Sequence, residues 1–342
     1  MSQTMTAAVF EGEGRLAIKD MPVPRIKRGD EVLIRVLACG VCGTDLHILS
    51  VPPGHPANAG VILGHEYTGE VVEVGDQVTH VRPGDRVVVD PNLTCGFCRY
   101  CQSGMRHMCA NMTTLGIFLD GGFAPYNVAP ARAVYPIDKS VPPHLAAFAE
   151  ILSCIASGAR KVSIQPGDSV VILGAGPAGL LFTQVAKAAG AGKLIVAETS
   201  PFRRRFALES GADLAVDPRE VDLKSAVLDA TKGGADVVID AVGSLFGAAL
   251  QLARRQGKVL LFGMDQTASS TVRQVDITRN ELVVLGSYIA DFTFPAAIKM
   301  IESGVLRLEK LITHRIPVRD LPKGLDALER REAIKVIVDP AL

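Results

Sequence analysis

The chain of 342 residues has no tryptophan, and aromatic residues make up only 5% of it. That leaves little material for the stacking platforms on which nucleic-acid bases lie. It has no surplus of charge either, with 36 Lys and Arg against 36 Asp and Glu. A neutral chain lacks the positive field that draws a polyanion, so a nucleic-acid partner is not expected. Long apolar runs are also missing, since Gly, Pro or a charge interrupts every candidate before it could span a bilayer. The opening MSQTMTAAVF shows neither the basic nor the apolar region of an export signal. The seven cysteines are therefore expected in a reducing cytoplasm, serving metals rather than bridges.

What the chain does have is 48% hydrophobic residues, 33 Gly and 20 Pro, the composition of a turn-rich α/β globule. Its length favours two domains. Cys95, Cys98, Cys101 and Cys109 form a C-x2-C-x2-C-x7-C cluster in one short segment. Four thiolates complete the tetrahedral shell of a structural zinc and leave no open position. An iron–sulfur cluster is the competing use of the same spacing. His107 lies inside the loop and is read as a solvated side chain rather than a ligand.

Up to about residue 150 the signals are short β runs between turns, at 31–37, 70–74 and 86–89. This half is expected to be a small irregular β-barrel-like domain. Beyond it, apolar strands at 169–173, 193–197, 236–240, 258–262 and 282–285 alternate with helices at 180–189, 203–209 and 246–255. Alternating strand and helix with continuous apolar strands marks a doubly wound parallel sheet. A helix at 295–303 and a strand at 334–338 return to the first domain. The expected division is 1–150, 151–290 and 291–342.

G-A-G-P-A-G at 174–179 follows a strand and opens a helix. Gly174 permits the tight turn, Gly176 lets backbone approach a pyrophosphate, and Gly179 allows close packing of helix on strand. Pro177 and Ala178 belong to the same cofactor-binding turn, and the N-terminus of the helix that follows receives the phosphate charge. Glu198 ends the next strand, where a carboxylate can accept both ribose hydroxyls and repel a 2′-phosphate. That favours NAD over NADP. Arg203, Arg204 and Arg205 are three adjacent cations able in principle to hold a 2′-phosphate, of which Arg204 and Arg205 are read as solvated helix charges. Gly263, Ser287 and Tyr288 complete the candidate cofactor-contacting set.

A second set of possible metal ligands is Cys42, in C-G-T-D-L-H, with His65 and Glu66, in G-H-E-Y-T-G, and Glu150. With G-H-E-x2-G-x5-G, the four-cysteine lobe and the glycine turn in this order, the chain resembles the zinc-dependent medium-chain alcohol and polyol dehydrogenases over essentially its whole length. The resemblance implies a GroES-like catalytic domain beside a Rossmann domain, two zinc ions per chain and NAD. It implies that Cys42 and His65 hold the catalytic zinc, with Glu150 as the polyol-type third ligand and Glu66 able to enter the shell. It implies that Thr44 and His47 relay the substrate proton and that Asp45 orients His65. Cys39 is read as a buried thiol, and Cys154, four residues past the ligand position, as a packing residue. The expected reaction takes hydride from a secondary alcohol, such as a polyol, diol or sugar derivative, to give a ketone. A threonine- or sugar-phosphate-type enzyme is the alternative, and a non-catalytic relative is disfavoured because no ligand or relay residue is eroded. Ile151 and Ser157 stand where the polyol branch often has Pro and His, and no Arg lies at 287–290, so sorbitol specificity does not follow. A homotetramer is implied as well.

Overall fold

The computed structural model describes residues 4–342. The chain forms two compact units. One gathers the residues up to Ser153 with Ala290–Gly304 and Leu308–Leu342; the other is Cys154–Ile289 with Val305–Arg307.

The second unit is built on a six-stranded sheet. Its spatial order is Leu214–Val216, Lys193–Ala197, Ser169–Leu173, Ala235–Asp240, Ala253–Leu261 and Val283–Gly286, all parallel. Every residue of Ser169–Leu173 is buried, as an apolar strand covered on both faces must be. Chain order reverses across this strand, which makes its carboxyl end the switch point where doubly wound folds bind ligands. The sheet bears out the expected fold class. One boundary differs: the helix expected over 246–255 stops at Leu252, and Ala253 turns into the next strand. Pairing explains the early exit, because Ala253 lies opposite Ala235 and Arg254 Nε reaches Asp236 Oδ1 at 2.5 Å.

The first unit has a seven-stranded, mostly antiparallel sheet. Its path runs Ile312–Ile316, Lys335–Val338, Glu31–Gly40, Glu66–Val74, Arg86–Val89 and Val134–Pro136, with Tyr126–Pro130 also paired to Glu31–Gly40. Ile34, Tyr67, Val87, Phe123 and Val336 belong to its core. Register here decides chemistry. Gly40 lies opposite Glu66 on one side and Ile337 on the other. Two residues later the chain reaches Cys42, so three distant segments converge at one end of the sheet. Gly40 has no alternative at this crossing: a Cβ would overlap the Glu66 carboxylate and sit 2.9 Å from Lys335 Cε.

Candidate functional site

The four-cysteine lobe closes on itself. Sulfur–sulfur distances are 3.6 Å for Cys98–Cys101, 4.0 Å for Cys98–Cys109 and 3.5 Å for Cys95–Cys109. Sulfurs about 2.3 Å from one zinc in a tetrahedron have edges of about 3.8 Å, so the cluster fits the ion. All seven cysteines are free thiols. Backbone N–H groups of Phe97 and Cys98 hold the Cys95 thiol down at about 6, which favours the thiolate a metal requires. Burial pushes Cys101 up to about 11, a charge cost that a cation would relieve. His107 is not solvated as expected: its Nδ1 lies 3.0 Å from Asp291 Oδ1, and its side chain is only 11% exposed.

The second set is assembled from separate elements. Cys42 caps the helix Gly43–Leu49, and Asp45 returns to accept the Cys42 N–H at 2.9 Å. This reciprocal cap fixes the thiol at the end of its strand. Glu66 begins the neighbouring strand, with His65 immediately before it. Ligand atoms of Cys42, His65 and Glu66 all lie within 4.8 Å of one another, a spacing one small cation can satisfy. Glu150 opens the helix Ala149–Val162; it is buried, and its charge is felt at both His65 and Lys335. Buried atoms Glu66 Oε1, His65 Nδ1 and Asp45 Oδ1 have no hydrogen-bond partner among the described residues. Unpaired buried polar atoms are costly, so this is where a metal and its supporting contacts belong. His65 Nδ1 is 3.8 Å from Asp45 Oδ1, facing it at longer than hydrogen-bond distance. Burial pushes Asp45 up to about 6. Burial alone would lower His65, but Cys42, Asp45 and Glu150 hold it well above its usual range.

Thr44 Oγ1 is 3.6 Å from Cys42 Sγ, and His47 lies in the last turn of the same short helix, exposed to water. Its ring rests on Gly54, where a Cβ would come 2.9 Å from His47 Nδ1. Cys39 is fully buried, and burial raises its thiol well above the usual value, which suits a packed side chain. Cys154 lies outside the three-residue group.

The dinucleotide turn has its required shape. Gly174 takes φ +96°, and a Cβ at Gly179 would overlap the Gly174 carbonyl oxygen. At Gly176, by contrast, the nearest heavy atom to a Cβ would be Arg203 Nη1 at 3.9 Å. The space beside the N-terminus of helix Pro177–Ala188 therefore accepts a pyrophosphate, and NAD fits this cradle. Glu198 is buried, with Oε2 accepting from Ala175 N at 2.9 Å and Oε1 from Ser200 N at 2.8 Å. Arg204 is not a solvated charge: its Nη1 donates to Asp217 Oδ2 at 2.8 Å and to the Glu198 and Thr199 carbonyls. Gly263 packs against Val242 and Gly243, and a Cβ there would overlap their backbone. Ser287 is buried at the end of the edge strand, with Tyr288 exposed beside it.

Two functional residues escaped the sequence reading. Lys335 is 1% exposed and pairs with Glu66, while its Nζ also donates to the Val41 carbonyl at 3.0 Å. Burial would lower its pKa, yet Glu66, Cys42 and Glu150 keep it raised and cationic. The signal was a lone Lys at the head of an otherwise apolar strand. Asp240 accepts from Val242, Gly243 and Leu245 N–H groups at 2.9, 2.8 and 2.8 Å, shaping the loop against Gly263. An Asp ending a buried strand was the corresponding signal.

Comparison with known proteins agrees with this geometry. The alcohol dehydrogenase GroES-like domain model matches residues 28–139, and the zinc-binding dehydrogenase model matches residues 177–303. D-arabinitol dehydrogenase 1 of Uromyces fabae is 34% identical over 98% of this chain and 97% of its own length. The erythritol/L-threitol dehydrogenase of Mycolicibacterium smegmatis is 36% identical over 99% and 98%. A zinc-binding dehydrogenase from Sinorhizobium meliloti, solved bound to NADP, superposes with a TM-score of 0.94 at 35% identity, covering 99% of this chain and 100% of that one.

Proposed function

From the premise that the chain belongs to the zinc-dependent medium-chain dehydrogenases, in their polyol branch, we propose that it oxidises a secondary hydroxyl of a polyol to a ketone with NAD. The observation that carries this reading is the group Cys42, His65 and Glu66, closed within 4.8 Å around partnerless buried atoms. When bound there, zinc supplies the Lewis acidity that eases loss of the hydroxyl proton, and NAD supplies the hydride acceptor.

The chain's own residues do the rest in this reading. Cys42 and His65 hold the metal, joined by Glu66 or Glu150, a choice of carboxylate that the Lys335 charge biases. Thr44 takes the hydroxyl proton, and exposed His47 passes it to water. Asp45 holds the helix cap and faces the ring of His65, limiting its rotation. Gly174, Gly176 and Gly179 admit the pyrophosphate, and Glu198 selects the unphosphorylated ribose. The polyol assignment draws on the relatives named above, which act on arabinitol, erythritol and threitol. The NADP-bound neighbour makes cofactor choice a separate question, and Glu198, already tied to Ala175 and Ser200, supports NAD.

Among the described residues no helix is long and apolar enough to cross a membrane. We place the enzyme in the cytoplasm, because thiols gathered into metal sets suit a reducing compartment. A homotetramer is proposed by likeness to the family, and light scattering showing a monomer would remove it. The test of function is NAD reduction by zinc-loaded protein across tetritols, pentitols, hexitols, diols and threonine. Turnover with a polyol is expected. Turnover of threonine alone would overturn the polyol reading.

A further inference from the structure

Apart from both metal sets and the dinucleotide turn, the first unit contains a cavity of about 60 Å³. One wall is the end of strand Arg86–Val89, continuing into Asp90. A second is the short helical turn Arg106–Met108 of the cysteine lobe, and a third is the turn Ala131–Ala133. Phe292 and Phe294 close it from the returning segment.

Two guanidiniums line this space, those of Arg106 and Arg132, and neither makes an ion pair or hydrogen bond among the described residues. Elsewhere Arg28, Arg35, Arg204, Arg219, Arg254 and Arg273 reach carboxylates, whereas these two leave their forks open beside a cavity. Arg106 is also held in place. Its guanidinium carbon lies 5.3 Å from the ring centre of Phe292, a cation–π contact. Phe292 itself takes φ +54°, a left-handed conformation that a bulky residue adopts only when its surroundings enforce it. The 3.0 Å His107–Asp291 pair fastens the same segment to the lobe. On the opposite side, Asp90 N donates to the Ala133 carbonyl at 2.8 Å and fixes the turn that carries Arg132. Tyr135, stacked on Phe294 with ring centres 5.3 Å apart, forms a rigid floor.

The lining carries two guanidiniums, Arg106 and Arg132, against one carboxylate, Asp90. Burial pushes Asp90 up to about 6, so an approaching anion meets a carboxyl that takes up a proton readily. The volume admits one small ion and its nearest water, and excludes a nucleotide. Planar guanidinium forks match the oxygens of phosphate in both spacing and charge.

We propose that this cavity is an oxyanion site that holds a single phosphate group between Arg106 and Arg132. The phosphate comes either from free inorganic phosphate or from a small phosphomonoester lying across the mouth. Neither residue belongs to the metal or cofactor machinery, so the inference is independent of the substrate reading.

The test is calorimetric titration of zinc-loaded, NAD-saturated enzyme, so that the glycine turn is already filled. In low-salt chloride buffer, inorganic phosphate is expected to bind once per chain with a Kd on the order of 1 mM. Arg106→Gln and Arg132→Gln should each weaken it about tenfold or more, the double variant should abolish it, and Arg82→Gln at an exposed site should leave it unchanged. Zinc content and thermal midpoint check that each variant is folded. Should a Gln variant not fold, the Arg→Lys variants keep the charge, lose the fork, and are expected to bind several-fold more weakly. Glycerol 3-phosphate distinguishes the sources. Binding tighter than inorganic phosphate, with the same arginine dependence, assigns a phosphomonoester; weaker binding assigns the free ion. Wild-type affinity in the double variant, or equal heat from chloride at matched ionic strength, would overturn the site.

Discussion

The two cysteine-bearing sites of this protein are built in opposite ways. The lobe gathers its four candidate ligands within residues 95–109 and supports their sulfurs with its own backbone N–H groups. The site at Cys42 takes one thiol, one imidazole and carboxylates from separate strands and a helix, and balances them with a lysine from the far end of the chain. Four sulfurs would satisfy a zinc ion and close the first. The second keeps polar atoms without partners, and room for chemistry lies where bonding is incomplete. A site that only holds shape can be local; a site that reacts is assembled by the whole fold.

The largest effect that would separate them is removal of His65. His65→Ala is expected to lower kcat/KM by about a thousandfold or more, since the loss of a Lewis acid is worth several kcal/mol of barrier. Metal analysis should show zinc falling from two ions per chain to one, with the lobe still loaded. If zinc remains at two, His65 is not a ligand. Lys335→Met comes next. It leaves Glu66 beside the metal without its countercharge, and a loss of about 10–100-fold in zinc affinity or activity is expected. Lys335→Arg should restore much of it. Equal zinc affinity in the Met variant and wild type would confine Lys335 to packing.

These two residues also mark where sequence reading succeeds and where it ends. His65 carries its own signal, a G-H-E motif opening a strand. The strand Lys335–Val338 was anticipated at 334–338, but nothing in its four residues says that the lysine faces Glu66. That contact depends on Gly40 lying between Glu66 and Ile337, a register set by three strands that are hundreds of residues apart in part. The glycine turn was legible because its residues are adjacent and each glycine has a local reason. Arg204 was misread for the opposite cause: its partner Asp217 lies at the end of a different strand, and a charged helix face looks solvated until that strand is placed. His107 failed in the same way through Asp291.

A smaller effect on catalysis tests the other half of the comparison. Cys98→Ser should remove one zinc per chain and lower the thermal midpoint, because a closed structural site contributes binding energy to folding. Activity measured well below that midpoint should change only a few-fold. A loss as deep as that of His65→Ala would mean that the lobe takes part in the reaction and that the division drawn above is false.

The smallest expected effect lies in the second unit, where charge is again used for structure. Asp217 is 2% exposed at its side chain and accepts from Arg219 Nη2 at 2.7 Å and from Arg204 Nη1 at 2.8 Å. These bonds, Arg219's foremost, hold its pKa well below the ordinary 3.8. A carboxylate whose folded pKa is depressed adds stability above its unfolded value and loses it as pH falls towards the folded one. Asp217→Asn should therefore lower the thermal midpoint at pH 7, and the gap to wild type should begin to close below about pH 4, where the unfolded carboxylate takes up its proton. Arg204 also holds the Glu198 and Thr199 carbonyls, so the same variant should raise the KM for NAD modestly while leaving both zinc ions in place. A midpoint gap for Asp217→Asn that is the same at pH 3 and pH 7 would show that the aspartate acts through shape rather than charge.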